Sequence, residues 1–129
     1  LYDSLKDMIP SEKLQKYMED EVIQIAPLAF MRGRTLDNAF VILDEGQNTT
    51  HSQMKMFLTR MGKNAKFIIT GDPGQVDLPR NTMSGIKEAI LILKNTLGVG
   101  IVHLDESDVI RNKLVKKIVD AYKNIENNN

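Results

Sequence analysis

Apolar positions along this chain follow two rhythms, and the two alternate. One is the short continuous run: Ala39, Phe40, Val41, Ile42 and Leu43 follow one another without a polar interruption, which predicts a strand buried on both faces, as inside a parallel sheet. Residues 66–70, apolar at Phe67, Ile68 and Ile69, and residues 99–104, apolar at Val99, Ile101, Val102 and Leu104, read as further strands. Residues 22–26, stopped by Pro27, read as a further strand that continues as extended chain through residues 28–31. The other rhythm is helical. Leu1, Leu5, Met8 and Ile9 precede a break at Pro10, and Leu14, Tyr17 and Met18 follow Ser11, a residue suited to cap the next helix. Met54, Phe57, Leu58 and Met61 lie behind Thr50, with Gln53 completing a capping box, and Gly62 is placed to end that helix in the left-handed conformation. Ile86, Ile90, Leu93 and Leu97 mark a helix from about Thr82, stopped by Gly98. Leu114, Val115, Ile118, Val119 and Tyr122 mark a last helix begun at Asp105, Ser107 or Asp108, before a polar tail at 127–129 that is expected to fray. Strands alternating with helices predict an α/β layer fold with a mostly parallel sheet.

Composition narrows the function classes. At 129 residues and 42% hydrophobic content the chain suits one domain with one core. Seventeen basic and seventeen acidic residues cancel, so net charge gives no argument for non-specific nucleic-acid binding. The absence of cysteine excludes disulfides, thiolate metal sites and cysteine nucleophiles, and fits a cytoplasmic setting. No apolar run approaches the roughly 20 residues of a membrane span, so no membrane partner is expected, and no signal-peptide pattern opens the chain. Because the first residue is Leu1, the expected translation product begins further upstream.

The chemistry concentrates where two apolar runs end. Asp44 and Glu45 follow the first, at the carboxyl end of a central strand, where open α/β sheets bind ligands. A carboxylate there can ligate Mg²⁺ on nucleotide phosphates, and a second beside it can polarise the attacking water. Gly71, Asp72 and, three residues on, Gln75 follow the second run. If the helix between is a right-handed crossover, both loops emerge on one rim. An amide at Gln75 can touch a terminal phosphate oxygen or the water and sense its loss. The plainer alternatives are a solvated acidic turn at Asp44–Glu45, a turn aspartate before Pro73, and a loop amide. Arg111, Arg32 and Arg34 are candidates for phosphate contact against the alternative of solvated surface cations. His51 and His103 lack the partners of a metal ligand or triad, and Met54, Met56 and Met61 read as core filling.

Three segments, Met31-Arg32-Gly33-Arg34-Thr35, Phe40-Val41-Ile42-Leu43-Asp44-Glu45-Gly46-Gln47-Asn48 and Thr70-Gly71-Asp72-Pro73-Gly74-Gln75-Val76-Asp77-Leu78-Pro79, with Asp108-Val109-Ile110-Arg111 later on, resemble the PhoH-like family of ATPases in order and over nearly the whole chain. That family is similar to superfamily-one helicase cores. The resemblance implies a partial P-loop NTPase (RecA-like) three-layer fold, with residues 1–129 forming the C-terminal portion of an ATPase domain. It implies ATP and Mg²⁺ as cofactors, with Asp44 as metal ligand, Glu45, Gln75 and Arg111 as catalytic residues, and Asp72, Arg34 and Gln47 as nucleotide contacts. It also implies RNA, a ribonuclease or ribosome-associated protein, and further copies of the chain as possible partners.

Gly46 stands where alanine is common in the family, a small-for-small exchange expected to leave the site intact and the turn more flexible. The family's Walker A loop has no match here: no Gly-x-x-x-x-Gly-Lys occurs, and the resemblance places that loop upstream of Leu1. Three readings follow. The first is Mg²⁺-dependent ATP hydrolysis coupled to RNA metabolism. The second is a catalytically incomplete module that binds RNA or a partner protein. The third, less favoured, is a metal-dependent nuclease or phosphotransferase using Asp44, Glu45 and Asp72 as ligands.

Overall fold

Strands β1 (Phe40–Leu43) and β2 (Lys66–Ile69) lie side by side in parallel, Phe40 opposite Lys66 and Leu43 opposite Ile69. Parallel neighbours need a crossover connection, and α3 (His51–Leu58) supplies it. This computed structural model describes residues 1–128, so Asn129 of the polar tail lies outside the described residues. The architecture is mixed α/β with a parallel sheet, consistent with part of a P-loop NTPase-like fold. The chain divides into two compact units, Leu1–Val99 and a second from Gly100 onward, each described by itself.

In the first unit, α1 (Tyr2–Met8) ends ahead of Pro10, which occupies the cap position of α2 (Ser11–Glu19). Leu14 of α2 and Met54 and Phe57 of α3 are its buried apolar side chains. The Phe57 ring lies 5.0 Å from that of Phe67 on β2, so α3 covers the sheet face that Phe67 shares with its register partner Val41. Phe40 is 67% and Ile42 42% exposed, so β1 alternates in burial where burial on both faces was expected.

The capping box forms as predicted: Thr50 accepts from the Gln53 backbone while Gln53 accepts from the Thr50 N–H. The helix stops at Leu58, however, and Met61 is half-exposed, bridging in parallel to Leu36. The left-handed residue of this turn is Asn64, at φ +55°. Gly62 has another reason to be glycine, since a Cβ there would overlap Asp37 Oδ1. Helix α4 (Gly85–Leu93) begins later than Thr82, and Leu97, expected inside, is fully exposed.

Two predicted strands are absent. At residues 22–26 the chain turns at Glu21 (φ +56°), and the N–H groups of Val22 and Ile23 both donate to the Tyr17 carbonyl at the end of α2. Apolar β-branched residues make a strand only where a neighbour satisfies the backbone, and here the helix end does so instead. Residues Leu28–Met31 form a 3-10 turn after Pro27 in place of extended chain.

In the second unit, residues 100–104 are likewise irregular, with Val102 and Leu104 exposed. Asp105 starts a 3-10 turn, Glu106–Asp108, which Asp108 closes reciprocally, and α5 (Lys113–Glu126) starts afresh with Asn112 as its cap. The apolar stripe of α5, including Leu114, Val115, Ile118 and Tyr122, faces solvent within this unit. Hydrogen bonds from the Ser107 hydroxyl and N–H hold the Asp105 carboxyl below its ordinary value. Lys123 pairs with Glu106, which lowers the carboxyl and raises the amine. No helix among the described residues is long and apolar enough to cross a membrane.

Candidate active site

The register that pairs Phe40 with Lys66 sets Asp44 opposite Thr70, one residue beyond each strand. There the Thr70 hydroxyl donates to Asp44 Oδ1 at 2.9 Å, and the Glu45 N–H donates to the same oxygen at 3.0 Å. The other carboxylate oxygen has no protein partner among the described residues, and the side chain is exposed. Asp44 is thus aimed but open.

Glu45 turns the chain sharply, with φ +55° and ψ +37°. The left-handed region costs a side-chain-bearing residue roughly 1–2 kcal/mol, so the surrounding contacts must hold it there. They do: the Gly46 N–H donates to the Thr70 carbonyl at 2.8 Å, and the Thr49 hydroxyl to the Gly46 carbonyl at 2.7 Å. Gly46 is buried, and a Cβ on it would lie 2.8 Å from Ile69 Cγ2 and 3.1 Å from the Thr70 oxygen. The position is tightly packed, so glycine here serves close approach of β1's exit to β2's more than looseness of the turn.

Gln47 lies inside this turn at 1% exposure. Its Nε2 donates to Glu45 Oε2 at 2.5 Å and its Oε1 accepts from the Asp72 N–H at 3.1 Å. Both amide ends are engaged by protein, and the side chain forms an internal bridge between the two loops. Asn48 makes a second bridge, its Oδ1 accepting from the Asp77 N–H at 2.7 Å. Behind them Ser84 donates to the Gln47 carbonyl at 2.7 Å, and the Gly85 N–H to the Thr49 carbonyl at 2.6 Å. The start of α4 is thereby clamped to the turn, and the Ser84 hydroxyl is drawn away from capping its own helix.

Asp72 and Gln75 occupy the exposed loop beyond β2. Asp72 Oδ1 accepts from the Gly74 N–H at 2.8 Å, and its carbonyl from the Gln75 N–H at 3.0 Å, so the aspartate shapes the turn that carries Gln75. The structure therefore brings Asp44, Glu45, Gln47, Asp72 and Gln75 to one rim. It does not bring Arg34 there. Arg34 precedes Leu36, which pairs beyond the amino end of β1, and its guanidinium donates to Gln24 Oε1 at 3.3 Å. Arg111 belongs to the second unit, exposed just ahead of the Asn112 cap of α5.

Among the described residues no three carboxylate, imidazole or thiol side chains gather to hold a metal ion, so Asp44, Glu45 and Asp72 do not make the three-carboxylate centre of the nuclease alternative. His51 does find a partner, Glu88 on α4 at 2.9 Å, a link between the first turns of α3 and α4. Sequence reasoning missed Thr70, Asn48 and Ser84. Thr70 was the accessible one, because equal spacing from the two strand starts already sets it opposite Asp44; Ser84 depends on a contact spanning 37 positions.

A family model described as PhoH-like protein matches residues 1–123. The chain is 54% identical over 122 residues to the PhoH-like protein of Bacillus subtilis (strain 168), covering 95% of this chain and 38% of that relative. It is 53% identical over 127 residues to the PhoH-like protein of a Synechocystis species, covering 98% and 39%. Against Protein PhoH of Escherichia coli (strain K12) the identity is 44% over 124 residues, covering 95% and 35%. The chain thus spans less than two-fifths of the length of these relatives. With a family model matched along nearly its whole length and relatives at these identities, the chain belongs to the PhoH-like protein family.

Proposed function

We propose that the protein containing this chain binds ATP and hydrolyses it with Mg²⁺, and that the rim beyond β1 and β2 is the water-activating, phosphate-sensing part of its site. One observation carries this reading: the paired carboxylates of one strand and the amide-bearing loop of its parallel neighbour are fastened together through Gln47 and Thr70. Family membership supports an ATPase-related role.

The chemistry of Asp44 fits a Mg²⁺ ligand. Mg²⁺ is held by one or two carboxylates together with substrate phosphates and several waters, and Asp44 offers one open oxygen at an exposed strand end. The ion, when bound, supplies charge neutralisation on the phosphates. Glu45 accepts the proton of the attacking water, and Gln75 contacts the terminal phosphate or that water from the adjoining loop. Asp72 holds the turn, and the family resemblance adds Arg111 as a cation for transition-state charge. Coupling to RNA metabolism, a ribonuclease or ribosome-associated partner, homo-oligomerisation and a cytoplasmic location complete the proposal on the family resemblance.

The test is Glu45→Gln in the full-length protein. Turnover should fall by about 10²–10⁴-fold with ATP affinity retained; hydrolysis at the unaltered rate discards the assignment.

A second reading, an RNA- or partner-binding module without turnover, is favoured by the exposed Lys113, Lys116 and Lys117 on α5. It predicts RNA binding that weakens steeply with salt while the full-length protein shows no ATPase activity. A flat RNA titration removes it.

A further inference from the structure

Gln47 stands between the two halves of the proposed site with its side chain wholly enclosed. The direction of its amide is dictated by its neighbours. A backbone N–H can only donate, so the end facing Asp72 must be the carbonyl oxygen, and the NH₂ end is thereby turned toward Glu45, whose ionised carboxylate can only accept. The residue itself has little freedom to drift. Its own carbonyl is held by the Ser84 hydroxyl, and the residue before it is pinned to Thr70.

We infer that Gln47 is a positioning residue that couples the Glu45 carboxylate to the loop carrying Asp72 and Gln75, so that the placement of the base depends on the placement of the phosphate-sensing loop. The inference rests on the reading of Glu45 and Gln75 given above. A movement of the loop that withdraws the Asp72 N–H leaves a buried amide oxygen without a donor, a costly state. The amide must follow the loop or lose the bond, and in either case the donor that orients Glu45 moves. Such coupling is reciprocal: whatever fixes the loop fixes Glu45, and whatever fixes Glu45 steadies the loop. Gly71 marks how closely the parts fit, since a Cβ on it would lie 2.8 Å from Gln47 Oε1.

The experiment is a double-mutant cycle in the full-length protein. Gln47→Glu keeps an acceptor for Asp72 at nearly the same volume but replaces the donor to Glu45 with a like charge. ATPase kcat should fall by about 10- to 100-fold, the scale of a misplaced catalytic group, with the ATP dissociation constant within about twofold. Placed on Glu45→Gln, the same substitution should cause less than about a twofold further loss, because the group it orients is gone. A merely structural role gives equal losses in both backgrounds. Equal losses, or full turnover in Gln47→Glu beside a slow Glu45→Gln, overturn the inference and leave the assignment of Glu45 standing. A full-rate Glu45→Gln protein removes that assignment and this inference together. If Gln47→Glu does not fold, Gly71→Ala displaces the amide from outside, and the same non-additivity is expected of it; additive loss overturns the coupling.

Discussion

The Thr70 hydroxyl donates to Asp44 Oδ1 at 2.9 Å, joining the residues that follow two parallel strands and fixing the carboxylate of one by the side chain of the other. Thr70→Val keeps the shape and removes the donor. Stability should fall by about 0.5–1.5 kcal/mol, the net worth of one hydrogen bond, and the Mg²⁺ concentration for half-maximal ATPase should rise several-fold in the full-length protein. Thr70→Ser should restore both. Denaturant titration and Mg²⁺ titration give the two readouts, and an unchanged Mg²⁺ midpoint in Thr70→Val removes the orienting role.

Glu45 holds a left-handed conformation that glycine adopts without a steric penalty. Glu45→Gly relieves roughly 1–2 kcal/mol of strain but leaves the buried Gln47 NH₂ without its acceptor, at about 1–3 kcal/mol, so stability should fall by no more than about 2 kcal/mol. Turnover should be lost. A thermal or urea melt with an ATPase assay checks both, and a severely destabilised variant would mean that the contact outweighs the strain.

Gly85, Gly98 and Gly100 separate three meanings of glycine. A Cβ at Gly85 would lie 2.5 Å from Thr49 Oγ1 and 2.7 Å from the Thr50 carbonyl oxygen. Gly85→Ala should cost about 1–3 kcal/mol, because backbone on one side cannot yield. Gly98 has φ +91° but open space around it, so Gly98→Ala should cost about 1–2 kcal/mol from conformation alone. Gly100 has neither constraint, and alanine there should be neutral or stabilise by up to about 1 kcal/mol. The urea midpoint should be lowered in Gly85→Ala and Gly98→Ala and unchanged or raised in Gly100→Ala.

Thr50→Ala removes the reciprocal cap of α3 and should cost about 1 kcal/mol, whereas Thr50→Ser should be nearly silent. Equal melts for the alanine and serine variants would show that the helix end is held by its packing instead.

In the second unit, Asp105 and Glu106 titrate below their ordinary values of 3.8 and 4.5, and Lys123 above its 10.5. Depressed carboxyl values mean a contribution to stability that is present above the ordinary carboxylate range and lost as pH falls through the lowered values. The raised amine means a contribution present below its ordinary value and lost as pH climbs past it. Between about pH 6 and 8 neither varies. Carboxyl carbon shifts followed by NMR should show the low midpoints, with Ser107→Ala returning Asp105 toward 3.8. An Asp105 midpoint unaffected by that substitution would assign the shift elsewhere.

The sequence by itself determined what depends on near neighbours. The Thr50–Gln53 cap, the helical stripes around Leu14, Met54 and Ile86, and the turn at Asp72 rest on bonds and contacts a few positions apart, and such patterns can be read from residue spacing. The motif order likewise marked the rim carrying Asp44, Glu45 and Gln75. Tertiary structure alone decided whether an apolar run became a strand. Residues 40–43 and 66–69 had each other, whereas residues 22–26 and 99–104 had no partner among the described residues and took other forms. It also decided that Gln47 is an internal bridge and that Gly46 and Gly62 mark close approaches. The reason is physical: a helix satisfies its backbone within one turn of chain, while a strand, or a buried amide, is completed by groups 25 or more positions away.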